Sequence, residues 1–495
     1  MNSLYRFSCL FLFCVFAAMR GFAGENVLHS FSALNTHNGT NQDGVYPAAG
    51  LVLSGGVLCG TTANGGLNGA GTAFYIAPDA SSFSVFRSFG NPPDFSNPQG
   101  DLVVSGGRLF GTSFAGGTNG VGTVFAGQTN GTVSHICDFA AVNSDAATNA
   151  AGAGPDAAVI LSPSGNVLFG AASAGGSFAD GVIFSITTNG AASSVLHTFN
   201  VLDSNTGTNT DGATPLGALA LSGGTLYGTA SAGGAGGNGT VFSVGTNGNS
   251  FTTLYSFTAM DPVTGTNTDG AIPYGGLSLS NGVLYGTTVS GGFGENGVIF
   301  SITTNGGDFT VLHHFTSVDA VMRTNTDGAK PAVNLLLAGG TLYGTASAGG
   351  SGANGAVFSV STNGNNFTVL YNFSAVNSGN GTNTDGAFPN GDLVQVGTSL
   401  YGTTCVGGFG AAGTVFSLTL PTVITQILQN PDGSVTLSFR GGPGSTNVIQ
   451  SATALGPSVL WQNISTNKAD INGIWQFTDS AAIGVSSQFY RSYFP

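Results

Sequence analysis

Residues 226–245, LYGTASAGGAGGNGTVFSVG, decide how the chain folds. Two short apolar runs, LYGT and GTVF, enclose a glycine-rich turn, and both recur along the chain. The first returns as LCGT, LFGT, LFGA and LYGT. Its glycine falls at Gly60, Gly111, Gly170, Gly228, Gly286, Gly344 and Gly402, spaced 51, 59, 58, 58, 58 and 58 residues apart. The second follows each glycine by 11 residues, as GTAF, GTVF, GVIF or GAVF. A third signature ends the unit, as in VFRSF (85–89), VLHTF (195–199) and VLYNF (369–373), and a fourth run such as ALALS (218–222) precedes LYGT. All four runs are short, rich in β-branched and aromatic residues, and bounded by Gly, Asn, Ser or Thr; they read as strands joined by turns. The SGG and NGG strings between them need the positive φ that glycine supplies.

Four strands in about 58 residues is the content of one propeller blade or one coil of another repeat array. The phase of the copies separates these. The last unit stops after GTVFSL (413–418) without its fourth strand, and an orphan copy of that strand, VLHSF (27–31), precedes the first unit. An open array would end in distinct polar caps, whereas a ring uses the orphan strand to complete its last sheet and remove an edge. The expected fold is all-β: a seven-bladed β-propeller over 24–420, closed by an N-terminal strand. Face-to-face blades bury both sides of each sheet, so alternation fades, as at Leu370 and Tyr371. The LYGT glycine is expected where one sheet's backbone nears the next. From Pro421 the repeat ends and both tryptophans appear. PDGSVTLSF, NVIQSA, IWQFTD and SQFYRSYF there read as strands of a small, fibronectin-III-like β-sandwich over 421–495.

The composition narrows the function. The chain has 82 glycines, 6% charged residues and a formal charge of −13. So few cations cannot neutralise a phosphate backbone, which excludes nucleic acid, and an anionic membrane surface is equally disfavoured. Arg6, the apolar run 7–19 and Gly21-Phe22-Ala23 read as a signal peptide over 1–23. That run is shorter than a membrane span and no second one follows, so the expectation is a secreted or cell-surface monomer without a transmembrane segment. Cys59, Cys137 and Cys405 remain after its removal. A Cys59–Cys405 bridge is open to the first and last repeats, but three unlinked thiols is the preferred reading.

The strings LYGT, GG, GTVF, VLHxF and DGAxP, recurring together over about residues 26–418, resemble the repeat family named for Gloeobacter and Verrucomicrobia. NPPDFSNP (91–98) and AGAGP (151–155) stand in place of DGAxP in the second and third units. The resemblance implies an exported bacterial propeller-like protein and carries no catalytic residue. Phe489-Tyr490-Arg491 is similar to the end of C-terminal domains on exported Verrucomicrobia proteins, which implies a display or anchoring role.

The repeated loops GTNQDG (39–44) and TNTDG after 207, 265, 323 and 381 are the candidate site. Asp43, Asn209, Asp211, Asn267, Asp269, Asn325, Asp327, Asn383 and Asp385 place oxygens at alternate positions, as calcium loops do. The first position is Gly or Arg and the twelfth, Gly276 in one copy, lacks the bidentate Glu, so turn chemistry is the competing and preferred reading. His29, His197 and His313 share a strand position with Tyr255 and Tyr371, which marks a packing site with one polar tip. No metal or catalytic string occurs. Asp94, Asp101, Asp180 and Glu295 break the repeat and read as solvated loop acids. The expectation is a non-catalytic binding or scaffold protein presenting its loops to glycan or surface-protein ligands. A secreted polysaccharide-active enzyme and a structural envelope component are the alternatives; an acid pair lining the central channel would favour the enzyme.

Overall fold

The computed structural model describes residues 25–90, 93–420, 423–441, 446–453, 460–470, 474–483 and 488–493; the expected signal peptide lies outside them. The chain is all-β, and among the described residues the single helical turn is Ser480–Ala482. Seven four-stranded antiparallel sheets succeed one another along the chain. In the fourth, Ala220–Ser222, Thr225–Ala230, Thr240–Gly245 and Thr252–Ser256 lie in sequence order. The outer pair carries a bulge at the same place in copy after copy, between Val241 and Phe242 here and between Ile299 and Phe300 in the next sheet. The last sheet takes its outer strand from the other end of the chain: Glu25–Ser30 pairs with Thr414–Thr419, opposing Val27 to Phe416.

Consecutive sheets bury their apolar faces on each other. Seven clusters fill the spaces between them, each drawn mainly from two neighbours. One joins Tyr401 and Val415 of the last sheet to Leu58, Phe74 and Ile76 of the first. The short strand Val52–Ser54 likewise touches both Val103–Ser105 of the second sheet and Val394–Val396 of the seventh. The contacts therefore run in cyclic order.

Two backbone features repeat at every junction. The residue before proline in each loop between sheets (Tyr46, Asn97, Gly154, Thr214, Ile272, Lys330, Phe388) has φ between 54° and 62°. Its N–H donates to the preceding sheet and its carbonyl accepts from its own. Ile272 N bonds Asn238 O at 2.9 Å and Ile272 O accepts from Val289 N at 3.1 Å; at the last-to-first junction Tyr46 N bonds Ala412 O at 3.2 Å. The proline then packs on the glycine of GTVF in the preceding sheet. A Cβ added to Gly239 would lie 2.5 Å from Pro273 Cδ, and one on Gly413 2.6 Å from Pro47 Cδ. The glycine that meets the neighbouring sheet is thus that of GTVF. The LYGT glycine, expected in this role, instead faces its own sheet: a Cβ on Gly228 would collide with Phe242 Cζ at 2.6 Å and Leu219 Cδ2 at 2.7 Å. It makes room for the cross-strand phenylalanine opposite it.

Beyond residue 422 two three-stranded sheets share one core. Val423–Gln429, Val435–Arg440 and Ile474–Asp479 form one; Gln462–Lys468, Thr446–Ala452 and Phe489–Tyr493 form the other. Leu437, Phe439, Ile449 and Trp475 are buried together, with Phe439 stacked on Trp475. Arg491 of the FYR string lies over Trp461 and donates to Gln450 Oε1 at 2.7 Å, and Tyr490 donates to Asp479 at 3.0 Å.

Phe31 and Phe257 occupy equivalent places and both are fully buried. Phe31→Ala and Phe257→Ala should each cost about 3–5 kcal/mol and lower the calorimetric Tm alike. A Phe31→Ala melt indistinguishable from the parent would show that the N-terminal strand is not part of the cooperative fold.

Candidate functional site

The TNTDG loops are built from the chain's own hydrogen bonds. In each, the asparagine Oδ1 accepts from the glycine N–H three residues on and from a glycine N–H of the neighbouring turn; for Asn209 these are Gly212 at 2.8 Å and Gly234 at 2.8 Å. Its Nδ2 donates to Asn200 O and Gly212 O. Asn267, Asn325 and Asn383 repeat the pattern. The aspartate reaches back to the fourth strand. His29 donates to Asp43 at 3.0 Å, His197 to Asp211 at 2.9 Å and His313 to Asp327 at 2.9 Å, while Tyr255 donates to Asp269 at 2.9 Å and Tyr371 to Asp385 at 2.8 Å. Each carboxylate also accepts the backbone N–H of Ser32, Asn200, Thr258, Thr316 or Ser374. The rings of His29, His197, His313 and Tyr255 then stack on a phenylalanine of the next sheet, His197 on Phe251 at 3.6 Å and Tyr255 on Phe309 at 3.9 Å, while Tyr371 meets Glu25 there instead. A flat ring with one donor at its tip meets both demands, so histidine and tyrosine are interchangeable here. The nine loop residues are distributed over five sheets, and among the described residues no three His, Cys, Asp or Glu side chains converge on one point. Cys59, Cys137 and Cys405 are free thiols.

A second constellation is assembled only by the fold. The residue before proline, held by its two hydrogen bonds, is the clamped position of each junction. Two residues beyond it, Ala48, Gln99, Asp156, Leu216, Tyr274, Ala332 and Asn390 line one cavity of about 70 Å³, with all seven sheets contributing. Two residues further on, the sheets carry Gly50, Asp101, Ala158, Ala218, Gly276, Asn334 and Asp392. Asp101 and Asp392 meet across Gly50, where a Cβ would lie 2.8 Å from Asp101 Oδ2 and from Asp392 Cβ. Their carboxyls lie close enough for each charge to act on the other. Gly50 N donates to Asp101 at 2.5 Å, and Asn334 N and Nδ2 donate to Asp392 at 2.8 and 2.5 Å. Burial pushes both carboxyls up, Asp392 the further because Asp101 also repels its charge. Both keep some surface because they line the cavity, yet protein surrounds them. The reading of Asp101 as a solvated loop acid is therefore corrected. So is that of Asp94, whose carboxylate is paired with Arg87 at 2.7 Å. Asp180 is half-buried and accepts from Leu202 N at 3.2 Å; Glu295 is exposed. Asp156 stands apart, raised to about 6 by burial, with Oδ1 unpartnered. A cavity of this size holds a handful of waters, far below the roughly 300–1,000 Å³ of small-molecule sites.

The third feature is the face carrying the loops. Each loop between sheets is bridged to the turn between the second and third strands of the sheet it enters, as Ala213 to Ala232 and Ala271 to Ser290, so both sets emerge together. Among the described residues of the seven sheets, every exposed large apolar side chain outside a strand lies on this face.

This is an all-β chain of repeated four-stranded sheets interlocked loop to loop. The Gloeobacter/Verrucomicrobia repeat model matches residues 23–207 and 201–325, more than half of the chain, and the chain belongs to that family. No curated protein sequence matches it. Among solved structures it is similar to an oligogalacturonate lyase in complex with manganese (10% identity, 81% of this chain and 98% of that one, TM-score 0.46). The oligogalacturonate lyase of Vibrio parahaemolyticus (9%, 81% and 97%, 0.42) and the nidogen/laminin complex (13%, 62% and 90%, 0.35) are also similar.

Two outcomes are expected. Melts of residues 24–495 with calcium and with chelator should coincide, because each loop carboxylate already accepts protein donors; a rise of several degrees with calcium would contradict this. Glu25 is raised to about 7, chiefly by burial and then by Asp385, and Asp156 to about 6. Groups raised on folding favour the folded state below the ordinary carboxylate range and cease to do so as pH climbs through 6–7. The Tm should therefore be higher near pH 5 than near pH 8, with Glu25→Gln and Asp156→Asn each flattening the slope. A Tm that climbs over that interval would refute the assignment.

Proposed function

We propose that the seven sheets are blades of a closed β-propeller over residues 24–420, followed by a small β-sandwich over 421–495. We infer an exported, non-catalytic binding or scaffold protein, secreted or held at the cell surface as a monomer after loss of residues 1–23. Its ligands are glycans or surface proteins, met by the loops of one propeller face; neither calcium nor another cofactor is needed. The observation that carries this reading is the division between constant and variable positions. The Asn, Asp and Gly of the loops serve the scaffold, while the clamped residue just before the proline changes from Tyr to Asn, Gly, Thr, Ile, Lys and Phe. A constant frame presenting different side chains is how a rigid scaffold builds a recognition surface.

One observation favours the polysaccharide-active alternative: Asp101 and Asp392 meet at the cavity with both carboxyls raised by burial, and paired acids of shifted pKa are what acid–base catalysis uses. Its cavity is too small for a sugar ring. Incubating residues 24–495 with neutral and uronate polysaccharides and assaying new reducing ends decides between them. No release above background is expected. Release that disappears in Asp101→Asn and Asp392→Asn would establish the enzyme.

A further inference from the structure

We propose that the loop face docks a basic polypeptide segment in which cationic and apolar side chains alternate; the proposal rests on the binding-module reading above. The clamped residues supply the first argument. A non-glycine residue at φ near +57° costs about 1–2 kcal/mol, more when β-branched as at Ile272, and Gly154 shows that glycine fits the same clamp. Six junctions nonetheless keep a side chain, and Tyr46, Ile272 and Phe388 are exposed rather than packed. Strain retained without burial points to display.

The turns beside them add apolar tips. Leu67, Phe293 and Phe409 are 67–74% exposed. The loop that enters the fifth sheet lies against that sheet's turn, since a Cβ on Gly265 would sit 3.7 Å from the Glu295 side chain. Val263, 92% exposed, and Phe293 are therefore flanked by Asp261 and Glu295.

Charge chooses the occupant. Asp203, Asp261 and Asp319 are exposed on this face, and backbone N–H bonds at their own turns hold them below the usual carboxylate range, so they stay ionised well into acid. Glu295 and Asp145 add to them, against Arg323 and Lys330. Acidic groups around exposed aromatic and aliphatic side chains complement lysine or arginine beside apolar residues, through ion pairs and cation–π contact. They repel uronates and nucleic acid and offer a neutral glycan nothing for its charge.

The test is fluorescence anisotropy on residues 24–495 with a labelled twelve-residue peptide of alternating lysine and leucine, the same peptide with glutamate for lysine, and a soluble neutral β-glucan. Saturable binding of the lysine peptide alone is expected, weakened about tenfold or more by raising salt from about 50 to 300 mM. Phe293→Ser combined with Val263→Ser should also abolish it with an unchanged melt, while Leu53→Ser, on a strand of the first sheet, leaves it intact. The neutral substitutions separate docking from unspecific attraction to an acidic protein. Absence of saturable binding, or equal affinity in the double variant, overturns the proposal. Glucan binding lost in the double variant overturns the basic segment but keeps the binding module. Cleavage of a probe, a separate readout, sinks the non-catalytic reading itself.

Discussion

The structure depends on one interlock: the residue before proline, held at positive φ, donates to the sheet behind and accepts from its own, while the proline rests on a glycine of the sheet behind. Neither half works alone. A glycine with φ near +100° lets the neighbouring ring approach closer than any Cβ would allow, and the two hydrogen bonds fix where that ring falls. Threonines of the LYGT string add stitches nearer the cavity, Thr229 to Gly275 O at 2.9 Å and Thr403 to Ala49 O at 2.9 Å. Because the same contacts join the seventh sheet to the first, the repeat spacing becomes a cyclic arrangement, and the loops are forced onto one face.

Aspartate serves two ends in this framework, and its environment decides which. In the TNTDG loops it lies beside a ring N–H or O–H and a backbone amide, so its charge is held by donors. In the cavity Asp101 and Asp392 pair with no cation among the described residues, so burial and, for Asp392, the neighbouring Asp101 charge push both carboxyls up. The loop aspartates fasten the outer strand to the sheet, whereas the cavity pair ties the second sheet to the seventh across the first. The clamped residues sit between these zones, and the side chains of Tyr46, Ile272, Lys330 and Phe388 are exposed, which is why the proposed recognition surface falls there.

Much of this architecture is legible in the amino-acid sequence. Strand content, the number of repeats and the destination of VLHSF all follow from phase, because a repeated hydrophobic pattern reports local geometry directly. Three things do not. The close approach between sheets falls on the GTVF glycine and not on the LYGT glycine, a choice that two glycines in equally apolar strings leave open. The Asp101–Asp392 pair joins residues from distant repeats, and only the cyclic arrangement makes them neighbours. In the last 75 residues VITQILQ sets its apolar residues side by side and QNISTNK is nearly all polar, so neither shows the alternation that singles out a strand. The clamped position does leave a signal in the sequence, a variable residue inside an otherwise constant DGAxP, but its meaning depends on the positive φ that only the fold reveals.

The central claim is that the two ends of the repeat array are joined in one sheet. Asn26 lies opposite Ser417 across the closing strand pair, within the Cα separation of about 4.4–6.8 Å that a disulfide tolerates. Asn26→Cys with Ser417→Cys, in a background where Cys59, Cys137 and Cys405 are serine, is the direct test by mass spectrometry of the oxidised monomer. Closure predicts a near-complete intramolecular disulfide between the two. Free thiols, or intermolecular dimers in their place, would contradict it.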